Sequence, residues 1–223
     1  MKKASIIFLI IFSILSCRKS EIPAPEGNTF FFENPQPIND SELKSFPNKF
    51  EGLYVNSDSL FLRIKSKLIV TEFEYKFRFL KTKLDSLKNE FVLKNGKYIH
   101  KNTDEEYDYK MVGDSIQFST KNIDTLFIFS DTNKAKRIFG QLVLSEKDSI
   151  YWKVKTISLK NNIITLKQLY SDSDLKSMDS ITKIHSKQLD STHYVIKPSR
   201  REFKKFLQLK NFGYNLDFKR ISN

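Results

Sequence analysis

Cysteine is almost missing from this chain, with Cys17 the only one. No intramolecular disulfide or cysteine-rich zinc site can form, so stability rests on packing. Glycine is scarce too, and Gly27, Gly52, Gly96, Gly113, Gly140 and Gly213 are the full set. Their positions allow no G-x-G-x-x-G, no Walker loop and no G-x-S-x-G elbow, which excludes those routes to nucleotide binding and serine hydrolysis. Histidine is limited to His100, His185 and His193, with no H-E-x-x-H arrangement. The N-terminal apolar run, Ile6 to Leu15, spans about ten residues, against roughly 20 for a membrane-crossing helix.

That short run has the setting of a secretory signal. Lys2 and Lys3 precede it, and the small residue Ser16 closes it as the cleavage position. Ile14-Leu15-Ser16-Cys17 then resembles the lipobox read by the lipoprotein signal peptidase, with Ile14 in place of the more usual leucine. The resemblance implies cleavage before Cys17, a diacylglycerol on its thiol and acylation of its new amine by palmitate-type chains. One acyl chain holds only marginally, while two or three hold stably at about 0.8 kcal/mol per buried CH₂. The expected organisation is a signal over 1–16, a lipidated Pro-rich tether over 17–47 and a globular domain over 48–223. An alternative divides that domain into two halves near residue 133.

Without Lys2 and Lys3, 36 of the 38 basic residues remain against 26 acidic ones, a net charge of +10. A basic balance often indicates nucleic acid, but export argues against that partner. The polyanions then within reach are lipid headgroups, lipopolysaccharide and wall polymers. Hydrophobic residues make up 39% of the chain, enough to bury a core and to exclude general disorder.

Pro23, Pro25, Pro35 and Pro37 make residues 18–40 read as an extended tether, with Phe30-Phe31-Phe32 free either to touch a membrane or to dock on the domain. Strand patterning follows. Phe73, Tyr75, Phe77 and Phe79 alternate with Glu72, Glu74, Lys76 and Arg78, which places aromatics on one sheet face. Leu126 to Phe129 is apolar throughout and predicts a strand buried on both faces. Asn95-Gly96, Gly113-Asp114 and Asn161-Asn162 each predict a two-residue hairpin turn. About a dozen strands, many at a spacing of about 8–12 residues, indicate a mainly β domain. The expected fold is an antiparallel meander forming a barrel-like or sandwich domain with one or two peripheral helices. One helix starts at the capping box Ser199-Arg200-Arg201-Glu202 and carries Phe203, Phe206 and Leu207 as its apolar stripe. The other covers about 172–184. Asp-Ser pairs at Asp58, Asp85, Asp114, Asp148 and Asp179 read as strand starts and helix caps rather than as a repeat.

Chemistry-bearing clusters are few. Asp104, Glu106 and Asp108 open like a calcium loop, but Tyr109 and Ser115 stand where that loop needs glycine and glutamate. Neither a metal nor a dissociable cofactor is expected, and no acid–base or nucleophile constellation indicates an enzyme. The densest basic cluster is Arg200, Arg201, Lys204, Lys205 and Lys210. It reads either as a solvated helix face or as a patch for an anionic lipid, a wall polymer or an acidic envelope protein.

The lipobox, the Lys-, Asn- and Phe-rich β domain and the ending Pro198 to Phe206 together resemble small lipoproteins of Gram-negative bacteria with low-GC genomes. That resemblance implies an envelope location and brings no activity with it. Arg18 follows the cysteine where an inner-membrane retention signal has aspartate, and Arg18-Lys19-Ser20 is not an acidic surface-export run. An outer-membrane anchor facing the periplasm is the expected site. Two roles fit: a non-catalytic partner-binding or structural protein, or a carrier with a barrel cavity for a lipid or other amphiphile.

Overall fold

Tight turns set the order of the chain. Asn95 and Gly96 both have positive φ, as do Asn161 and Asn162, so each pair makes the mirror-image turn that matches the twist of its flanking strands. Gly113 has positive φ at the first turn position and Asp114 does not, as in a type II′ turn. Phe139-Gly140 and Ser149-Ile150 make two further tight turns at non-consensus residues.

The computed structural model describes residues 27–183, 185–209 and 212–222. Its strands are β1 (Thr29–Phe32), β2 (Gly52–Val55), β3 (Phe61–Lys65), β4 (Leu68–Leu80), β5 (Phe91–Lys94), β6 (Lys97–His100), β7 (Glu106–Val112) and β8 (Ser115–Ile128). They continue with β9 (Asn133–Ile138), β10 (Gln141–Asp148), β11 (Tyr151–Lys160), β12 (Ile163–Gln168), β13 (Lys187–Gln188), β14 (His193–Ile196) and β15 (Tyr214–Ser222). Helices α1 (Leu84–Leu87), α2 (Asp172–Ile181) and α3 (Arg200–Phe206), with single 3-10 turns at Asn48–Phe50 and Lys81–Lys83, complete the regular structure among the described residues. The Asp-Ser pairs lie variously in turns, in helices and at the end of β10, so they mark no common unit.

The domain is mainly β, and its pairings are antiparallel apart from β1 beside β14. The ladder runs β13-β14-β1-β11-β12-β15-β2-β3-β4-β8-β7-β6-β5, with β10 and β9 branching from β11. Because β10 lines one edge of β11, β1 and β12 must share the other. β1 takes Trp152 and Lys153, and β12 takes Lys155 to Lys160. Among the described residues the sheet does not close into a barrel. Closure needs two neighbours for every strand, and β5 and β9 have one each. The sandwich-like half of the expectation stands. The β12–β15–β2 ladder also stitches residues on either side of 133 into one sheet.

Two apolar layers lie against the branched part. Inside the curl, Phe50, Tyr54, Leu62 and Phe127 pack with Leu142, Leu144, Ile157 and Phe218. On the other face, Phe30, Phe32, Val143 and Trp152 lie under Met178 of α2 and Phe203 and Phe206 of α3. The strand buried on both faces is therefore β10, whose Leu142 and Leu144 enter one layer and Val143 the other. It is not Leu126 to Phe129, where Phe127 is buried but Ile128 is 50% exposed. A third cluster, with Phe77 and Phe79 against Phe118, Tyr107 and Phe91, supports the outlying β5–β8 hairpins.

The tether expected over 17–47 is corrected over its described part. Phe30 and Phe32 are buried on β1, and Phe46 lies in the inner core. The prolines hid this strand, because only four residues lie between Pro-rich stretches and their pairing partners are more than a hundred residues away. Residues 17–26, with Cys17, and the cleavage position Ser16 lie outside the described residues. α2 ends at Ile181 rather than near 184, because Thr182 turns extended and its hydroxyl caps the Met178 carbonyl at 2.9 Å.

Candidate functional site

The basic helix α3 is built as its sequence dictates. Ser199 Oγ accepts from Glu202 N, while the Ser199 amide and hydroxyl donate to Glu202 Oε2, both at 2.7 Å. Phe203, Phe206 and Leu207 then face the second core layer. Four-residue spacing splits the basic residues into two rows, Arg200 with Lys204 and Arg201 with Lys205.

The first row has internal duties. Arg200 makes a two-pronged ion pair with Asp40, with Nη2 donating to Oδ2 at 2.9 Å. Lys204 lies 4.7 Å over the Phe139 ring. The second row faces a cleft of about 720 Å³ between α3, the end of α2 and residues 34–38. Lys183 and Lys197 join Arg201 and Lys205 around it, and Ile38, Ile181 and Pro198 supply apolar walls. That volume lies in the range of small-ligand sites. Lys210 lies outside the described residues.

Charge at the cleft is one-sided. Lys197 pairs with Glu33 at 2.6 Å, whereas the side chains of Lys183, Arg201 and Lys205 form no ion pair among the described residues. Glu202 is the one carboxylate on the lining, and its oxygens are occupied by Ser199 and by the Lys183 amide at 2.7 Å. The wall opposite α3 is fixed from beneath. Lys136 Nζ donates to the Pro35 and Pro37 carbonyls at 3.2 and 2.8 Å, and burial pushes its pKa below the ordinary lysine value. Gln36 N donates to the buried Ser145 Oγ at 3.1 Å. Gln36 is only 1% exposed, and its Nε2 is spent on the Asn34 carbonyl. Its Oε1 has no hydrogen-bond partner among the described residues.

The hydrogen bond from the Ser199 hydroxyl is the largest influence holding the Glu202 carboxyl below its ordinary range, followed among the lowering contacts by the Ser199 and Lys183 amides. A depressed folded-state pKa adds stability that is present above the unfolded value of about 4.3 and is lost as pH falls through the folded value. Glu202→Gln keeps the shape of the cap but not its charge. The stability gap between wild type and Glu202→Gln, measured by denaturant unfolding, is expected at neutral pH and should shrink as pH falls below the unfolded value and through the lowered folded one. A constant gap would remove the charge from the cap.

Other candidates resolve into local structure. Glu106 and Asp108 lie on β7 with their carboxylates 3.1 and 3.8 Å from Lys97 Nζ. Tyr107 donates to Glu105. His193 Nδ1 is 2.8 Å from Asp190, and His100 stacks edge-on to Phe91. Among the described residues no three His, Cys, Asp or Glu side chains gather as a metal site would need. A second cleft of about 400 Å³ opens where β1 and β12 part along β11. Asp124 and Glu146 line it opposite Lys153 and Lys155, so both signs are present, and Asp124 and Lys155 already have interactions of their own.

Of the basic cluster read from the sequence, Arg201 and Lys205 line this cleft, whereas Lys183, Lys197 and Gln36, also on its lining, were not singled out. Lys197 stands just ahead of the helix cap and Lys183 just beyond α2, so the two helix ends were the available signal. No signal singled out Gln36. No family model, curated protein or solved structure matches this chain.

Proposed function

We propose that this chain is a lipid-anchored protein of the cell envelope, held in the outer membrane through Cys17, facing the periplasm, and binding an anionic partner without catalysis. The observation that carries the binding role is the one-sided charge of the α3 cleft. Three cations without ion-pair partners among the described residues and a fourth shared with Glu33 surround apolar walls, and the lining carboxylate is already occupied. An anion entering there replaces no existing ion pair. The lipobox at Cys17 and the basic composition support the location. The carrier reading has less to rest on, because the curl of the sheet is filled by Phe50, Tyr54, Leu62 and Phe218.

Two measurements test this. Cys17→Ala is expected to move the protein from the membrane pellet to the soluble fraction, and a variant that still sediments in high salt would refute the anchor. For the cleft, Arg201→Gln with Lys205→Gln should weaken binding of inorganic polyphosphate by about tenfold. Lys94→Gln with Lys110→Gln removes the same charge on β5 and β7 and should leave affinity nearly unchanged. Equal losses in both pairs would reduce the basic helix to a solvated face attracting anions through net charge alone.

A further inference from the structure

Resting on the anchor and the anion cleft of that reading, we infer that the α3 face lies on the anchoring bilayer and binds its anionic phospholipid headgroups. Phe139 carries this furthest. It forms the tip of the β9–β10 hairpin with φ +51°, left-handed backbone that glycine or asparagine adopts readily and phenylalanine rarely does. Its side chain is 47% exposed, with Lys204 Nζ 4.7 Å over the ring. An aromatic tip beside basic side chains is the pattern of a surface that inserts at headgroup level. Lys204 stands three residues after Arg201, so Phe139 borders the open basic row. Arg201, Lys205 and Lys183 are exposed there, and Ile38 and Ile181 lie half-buried on the same cleft. Asp40, Glu33 and Glu202 beside them are engaged by Arg200, by Lys197 and by Ser199 with the Lys183 amide. Little free negative charge opposes an anionic surface.

The bilayer is also the polyanion kept nearest to this face. Gly27 stands ten positions after Cys17, and ten residues reach at most about 36 Å. Gly27 of an anchored chain therefore stays within that distance of the bilayer surface, which keeps the effective concentration of headgroups high. A soluble polyanion would match the cations and leave Phe139 without a use. An acidic protein would match them too, but the chain itself holds no such partner nearby.

The test uses the lipidated full chain in phosphatidylcholine vesicles with and without phosphatidylglycerol. Phe139→Trp places a fluorescent reporter at the hairpin tip, while the native Trp152 is buried in the outer core layer. With phosphatidylglycerol present, brominated acyl chains should quench roughly half of the added emission, since an inserted interfacial side chain lies about 5–10 Å deep. Phosphatidylcholine alone should quench little, and about 1 M salt should abolish the difference. Arg201→Gln with Lys205→Gln should move the docked-to-undocked ratio about thirtyfold toward undocked, at about fivefold per basic residue near an anionic surface. Lys94→Gln with Lys110→Gln should leave that ratio nearly unchanged. If Phe139→Trp fails to fold by circular dichroism, hydrogen exchange at amides 200–207 of the wild type decides. It should slow at least about fivefold in the anionic vesicles alone. Equal quenching in both lipids, or equal exchange, would overturn the docking. Tight polyphosphate binding without any response to phosphatidylglycerol would overturn the bilayer as occupant and leave the cleft to a soluble anion or an acidic protein. Absence of polyphosphate binding as well would overturn the cleft reading itself.

Discussion

Asp174→Ala is expected to lower the unfolding free energy by about 3–4 kcal/mol, a large part of the roughly 5–15 kcal/mol that holds a domain together. Asp174 is 2% exposed and is the node where β12, α2 and β15 meet. Oδ2 accepts from the Tyr170 amide at 3.1 Å, the Ser171 amide at 3.0 Å and the Ser171 hydroxyl at 2.8 Å, and Oδ1 accepts from the Gly213 amide at 2.7 Å. Alanine leaves these donors without an acceptor and removes half of the capping box that starts α2. Asp174→Asn keeps the size and one acceptor oxygen but turns an NH₂ toward N–H donors, so an intermediate loss is expected. Denaturant midpoints of the three proteins check the order. A loss below about 1 kcal/mol for alanine would mean that water replaces the carboxylate and the node is dispensable.

The same node cannot relax by moving Gly213 away. Its φ is +70°, and a Cβ there would lie 2.7 Å from the Gln168 carbonyl oxygen. The chain therefore enters β15 through a position only glycine fills, and the Asp174 hydrogen bond holds it. Neither fact is visible in the sequence, where Gly213 is one more glycine after a helix and Asp174 one more acid at its start.

What the sequence made legible was local. The Asn95-Gly96, Gly113-Asp114 and Asn161-Asn162 turns and the Ser199–Glu202 capping box involve residues within a few positions of one another, and their chemistry is complete within that span. What it concealed was set by distant partners. Arg200 looked like a free cation, yet Asp40, 160 positions away, neutralises it. Lys136 carries no mark in the sequence, yet it is 5% exposed and clasps carbonyls about a hundred residues upstream. The division of the basic helix into an engaged row and an open row follows from these two long-range attachments. Without them residues 33–40 would not form the wall that turns a charged helix face into a cleft.

That wall depends on β1, and truncating the aromatic that ends it should release it. Phe32 is 1% exposed, pairs across to Trp152 and Ile196, and meets the Phe203 ring edge-on at 6.0 Å. Phe32→Ala is expected to cost about 3–5 kcal/mol, the range for deleting a core aromatic. Part of that loss should be shared with α3. Phe203→Ala alone should cost a similar amount, and the double variant should cost less than the sum by about 0.5–1.5 kcal/mol, the coupling of an edge-to-face pair. Hydrogen exchange in Phe32→Ala should quicken first at the amides of 200–207, because their helix has lost its seat while its capping box is intact. Cleft affinity for polyphosphate should fall in step, although no charge has been removed. A cost below about 1 kcal/mol would mean that the Pro-flanked strand merely rests on the domain as a tether would. α3 would then keep its place through Phe206 and Phe212, whose rings lie 4.4 Å apart, and the cleft would need no help from β1.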